Sequence, residues 1–87
     1  MDALIRTNSN NRFFQALDMV VRSGAIRGEA TFCKEHNIDR RNLIKVKSNS
    51  SDQRVRIEWI YYLCNDFSIS AEWIITGKGP MFRGILK

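Results

Sequence analysis

The feature that most narrows what this chain can become is a series of apolar residues at three- and four-residue steps, broken at short intervals by residues that end helices. Phe13, Phe14, Leu17, Val20 and Val21 fall on one side of a helix, and Ser23-Gly24 supplies a residue suited to a left-handed C-cap. Phe32, Cys33 and His36 share a face of a second, short helix opened by Gly28 and Glu29. Asn37 follows at a point where a left-handed turn ends it. Asp39 is an N-cap for a third helix with Leu43 and Val46 inward. After the polar loop Ser48 to Asp52, Ile57, Ile60, Leu63, Cys64 and Phe67 trace a fourth helix. Ser70 caps a fifth through Glu72, Trp73, Ile74 and Ile75, which Gly77 stops. No strand alternation of useful length interrupts this pattern, so the expected fold class is all-α with five short helices.

At 87 residues the chain has room for one core, which excludes a two-lobed enzyme. With 44% hydrophobic and 26% charged residues it belongs with folded sequences rather than disordered ones. Asn8-Ser9-Asn10-Asn11 is a cluster of capping types, so order is expected to begin near Ser9. The expected organisation is a flexible N-terminal arm over 1–8, a folded domain over 9–82 and a tail over 83–87. The longest apolar run, Trp59 to Cys64, is far below the roughly 20 residues of a membrane span, and no secretory leader is evident. Cys33 and Cys64 stand too far apart in sequence for a redox pair, and no metal or other cofactor is expected. A soluble protein of the reducing cytoplasm fits these features.

The net charge of +5 is concentrated: Arg40, Arg41, Lys45, Lys47, Arg54 and Arg56 face only Asp52, so residues 40–56 hold a surplus equal to that of the whole chain. Such a patch suits a polyanion. Its core lies in Glu29 to Ser48, where two short helices joined by a tight turn can project the second into a DNA major groove. Packing requires a small residue at Cys33 and an apolar one at Ile38 to plug the corner.

This spacing resembles the helix-turn-helix of phage-repressor-type, lambda-repressor-like DNA-binding domains, with Asn37 in place of the usual turn glycine and His36 where an aliphatic residue is common. The opening RFFQALD and the ending Ser70 to Phe82, SAEWIITGKGPMF, extend the likeness over about residues 11 to 82. The resemblance implies a five-helix fold, sequence-specific binding to double-stranded DNA, and a transcriptional repressor acting without catalysis.

On that basis residues 39–47 form the recognition helix. Arg40 and Arg41 enter the groove first, and an arginine fork matches guanine O6 and N7; Asn42 and Lys45 complete the candidates for base contact. Gly28, Thr31, Lys47, Ser48, Asn49 and Arg54 are candidates for phosphate contact, although the charge of Glu29 opposes the first two. His36 has no acidic or thiol partner at ligand spacing, so metal and general-base roles are set aside. Thr76-Gly77-Lys78-Gly79 lacks the first glycine and final hydroxyl of a phosphate loop and reads as a helix stop. A palindromic operator and a weak homodimer, or a dimer formed on DNA, are expected, with Met81, Phe82, Ile85 and Leu86 and the exposed tyrosines of helix four as the pairing surface. The alternative is a protein-interaction adaptor that docks through the same tail.

Overall fold

The computed structural model describes the backbone of residues 2–48 and 54–83, with side chains from residue 8 onward. Among these residues the chain forms five helices and no strand: α1 (Asp2–Arg22), α2 (Glu29–Glu35), α3 (Arg40–Lys47), α4 (Ile57–Phe67) and α5 (Ala71–Thr76). An isolated antiparallel bridge between Ile69 and Phe82 returns the chain after α5 to the end of α4.

Most boundaries follow the local chemistry. Gly24 adopts a left-handed φ of 85° after α1, and Asn37 does the same at 56° after α2. The Asp39 and Ser70 side chains accept hydrogen bonds from the backbone N–H groups of Arg41 and Trp73, which caps α3 and α5. Gly77 ends α5 at φ 78°, a conformation that favours glycine, and a Cβ there would also make a tight 3.2 Å contact with the Arg12 guanidinium. Ser68, at φ 59°, ends α4 in a left-handed turn that its residue type does not announce.

The start of α1 departs from expectation. The helix runs from Asp2, so residues 2–8, read as a loose arm, are helical in backbone. No glycine or proline occurs before Gly24 to stop it. The polar cluster expected to cap the helix is instead spent on tertiary contacts. The Ser9 hydroxyl donates to the Ile75 carbonyl at 3.2 Å, and Arg12 donates through Nε to Ile74 O at 2.8 Å and through its terminal nitrogen to Ile75 O at 3.0 Å. Three donors from the first helix thus satisfy the orphan carbonyls at the end of the last. Asn10 is only 3% exposed, and its Oδ1 accepts the N–H of Val55 at 2.9 Å, just before α4.

One core unites all five helices: Phe13, Leu17, Phe32, Leu43, Leu63 and Ile74 are fully enclosed, with Trp59 nearly so. Trp73 is half-buried against it. In α4 the buried stripe is Trp59, Leu63 and Cys64, and Ile57, expected inward, is 77% exposed. The large indole at position 59 claims the inner face, and at 3.6 residues per turn this rotates Ile57 to its margin.

Replacing Asn10 with alanine leaves the buried Val55 N–H without its acceptor and should cost about 1–3 kcal/mol. Urea unfolding checks this, with Ser9→Ala, whose bond is exposed, expected to lose much less.

Candidate nucleic-acid interface

The sequence of α3 divides its surface cleanly. Leu43 and Val46 are buried, while Arg40, Arg41, Ile44, Lys45 and Lys47 are exposed. The first turn is fixed by Asp39, whose Oδ1 accepts the Arg41 N–H at 2.9 Å and lies 3.5 Å from the Arg41 Nε. The backbone N–H of Arg41, and then its side chain, hold the Asp39 carboxyl below the ordinary aspartate value. Even so, the Arg41 side chain is 88% exposed, with a fork of donors turned to solvent. Arg40, Arg41 and Lys45 therefore form a rigidly mounted cationic face on one short helix.

Asn42 sits differently. It is half-buried and lines a cleft of about 240 Å³ with Asp39, Arg56, Glu58, Trp59 and Tyr62, between the start of α3 and the start of α4. Arg56, absent from the candidates drawn from sequence, holds its guanidinium 5.9 Å from the Trp59 ring centroid. Its place in the basic run marked it as a cation; only the fold brings it beside Asn42.

The connection between α2 and α3 is braced from α4. The His36 ring stacks on Tyr62 at 4.2 Å with an interplanar angle of 8°, and its Nε2 lies 2.8 Å from Asp66 Oδ2. His36 thus does have an acidic partner, thirty residues along the chain and one turn of α4 beyond Tyr62. Sequence spacing gives no sign of a pair made across two helices. With Ile38 packed on the core and its N–H bonded to Cys33 O at 2.8 Å, the brace fixes where α3 starts.

The expected phosphate-binding residues do not form one cluster. Lys47 Nζ lies 2.6 Å from Glu29 Oε2, so this ammonium is held by the carboxylate at the opening of α2. Gly28 is the N-cap of α2 in extended conformation, its carbonyl accepting the Thr31 and Phe32 N–H groups, with no side chain capping the helix. Thr31 is half-buried. The Ser48 hydroxyl donates to Lys45 O at 3.2 Å. Arg54 is exposed and lines a groove with Ser9, Ile57 and Ile75. Asn49 lies outside the described residues.

Nothing else among the described residues gathers reactive groups. No three His, Cys, Asp or Glu side chains come together as metal ligands. Burial raises the Cys33 and Cys64 thiols above their ordinary values, as desolvation of a thiolate requires. No described helix is long and apolar enough to cross a membrane. The chain matches no protein-family model, no curated protein and no solved structure.

Because the folded Asp39 carboxyl titrates below its unfolded value, its contribution to stability is complete above the unfolded value and is lost as pH falls through the folded one. In an NMR titration the Arg41 amide should shift with a midpoint below that of a free aspartate, and Asp39→Ala should abolish the step.

Proposed function

We propose that this chain is a sequence-specific DNA-binding domain of the lambda-repressor-like, helix-turn-helix class, acting as a transcriptional repressor with α3 in the major groove. The observation that carries the reading is the division of α3: Leu43 and Val46 anchor it in the core, while Arg40, Arg41 and Lys45 project outward from a turn held by Asp39. A short helix so mounted offers its N-terminal side chains to base edges. Arg40 and Arg41 take guanine contacts, Lys45 the next position along the groove, and Asn42, half-buried, contributes at the margin. Arg56 joins the cations that meet the phosphate backbone. No step of chemistry is required of the protein.

Lys47 has a conditional part. Its ammonium is shared with Glu29, so a phosphate must compete with a carboxylate 2.6 Å away. The Gly28 and Thr31 end of α2 lies beside the same negative charge. The adaptor alternative loses one residue of its docking surface, since Met81 packs against the core, while Phe82, its backbone bridged to Ile69, keeps its side chain 42% exposed. Ile85 and Leu86 lie outside the described residues.

Mobility-shift titration against the DNA flanking its own gene, with random duplex as control, tests the reading. Log K should fall with log salt by about 0.9 for each phosphate neutralised. The absence of duplex binding at low salt overturns it. Arg41→Ala and Arg40→Ala should each cost about 1–3 kcal/mol on the best site and relax preference at one position. Glu29→Gln should release Lys47, tighten binding to every duplex alike and steepen the salt slope by about one phosphate.

A further inference from the structure

Three apolar residues lie on α3, and two of them, Leu43 and Val46, are buried. The third, Ile44, is 46% exposed and belongs neither to the core nor to the side chains packed against it. At about 100° per residue, Ile44 falls between Arg40 and Arg41 around the helix and one turn beyond them along it. Side chains three and four residues apart are neighbours on a helix surface, so the surroundings of Ile44 on the outer face are cationic. A lone exposed isoleucine is ordinary on a protein surface. This one is distinguished by its place, in the middle of the basic face that α3 turns away from the core.

We propose that Ile44 reads the 5-methyl group of a pyrimidine in the DNA major groove, which makes it a specificity-determining residue. The inference rests on the DNA-binding role proposed for α3. A major groove displays hydrogen-bonding groups, which arginine and lysine can address, and on thymine one hydrocarbon group, which a cation cannot. The isoleucine side chain has no donor or acceptor, so its gain comes from burying hydrocarbon against hydrocarbon. Set against the polar edge of an unmethylated G·C pair, it would instead cover groups that it cannot satisfy. The same side chain therefore favours a methyl group and opposes a bare polar edge, and the difference between the two is specificity.

The helix rise of about 1.5 Å per residue puts Ile44 about 4.5 Å beyond Arg41, on the scale of one base-pair step of about 3.4 Å. The methyl group then belongs to a pair beside the guanine that an arginine takes. Thymine and 5-methylcytosine both carry a methyl at ring position 5, so the chemistry recognised is that of a 5-methylpyrimidine, from either source.

Duplexes selected by the full chain from a randomised pool supply the probe. Each thymine of the best site is replaced singly by uracil, which removes the methyl group and leaves the pairing edge intact. At one position beside a guanine, uracil should weaken binding about fourfold, the worth of one buried methyl group. In Ile44→Ser the same replacement should leave affinity unchanged. Serine matches isoleucine in helix propensity, so α3 persists, and an unchanged circular dichroism spectrum checks this. Met19→Ser, at an exposed site on α1, should keep the full fourfold difference.

A second selection, from a pool with 5-methylcytosine in place of cytosine, separates the sources. Thymine recovered at that position again assigns the methyl group to thymine. Recovery of 5-methylcytosine there, with a fourfold loss on demethylation that Ile44→Ser abolishes, assigns it to methylated cytosine. Duplex binding with no methyl-sensitive position in either pool, or methyl sensitivity undiminished in Ile44→Ser, overturns this inference and leaves the DNA-binding reading standing. Failure to bind any duplex at low salt overturns both.

Discussion

The burial of Phe13 is the contact on which the other helices depend. Its ring lies 5.0 Å from Phe14, 6.3 Å from Phe32 of α2 and 6.4 Å from Trp59 of α4, by centroid. Around this aromatic centre close Leu43 and Val46 from α3 and Ile74 from α5. Isolated helices shorter than about 12–15 residues are marginal in water. With 7, 8 and 6 residues, α2, α3 and α5 are all shorter than that, so each is a helix because its apolar stripe reaches this core.

The same arrangement explains why the outer face of α3 is available for binding. Its hold on the protein comes through two inward side chains, a cap at one end, and a preceding turn braced by His36 against Tyr62 and Asp66. Arg40, Arg41 and Lys45 take no part in core packing. These side chains point away from the core, and the backbone that carries them is already placed.

Much of this was legible in the sequence, because helix ends and apolar stripes are local properties. The αL residue Asn37, the caps Asp39 and Ser70, the stop at Gly77 and the inward pair Leu43 and Val46 are each written in a few adjacent residues. Contacts between distant segments were not. Ser9, Asn10 and Arg12 have the residue types of a helix start, and only the packed neighbours reveal that they satisfy carbonyls and an N–H from the far half of the chain. The inward reading of Ile57 failed because a stripe of several apolar residues leaves its exact centre undefined until the largest one, Trp59, takes the inside. For the site, the basic face of α3 could be read from spacing, whereas the capture of Lys47 by Glu29 and the closeness of Arg56 to Asn42 depended on tertiary geometry.

The long-range bonds of α1 also bear on how the chain is made. Ser9 and Arg12 find their acceptors 66 and 62 residues later in the sequence, and the Asn10 partner lies 45 residues later. On the ribosome, α1 therefore emerges with polar groups whose partners are made only 45 to 66 residues later. Contacts of such separation form only after the entropy of closing the intervening loop has been met. A nascent chain that stops before α5 has α1 with its clamp open, so the fold is completed only when nearly the whole domain has left the exit tunnel.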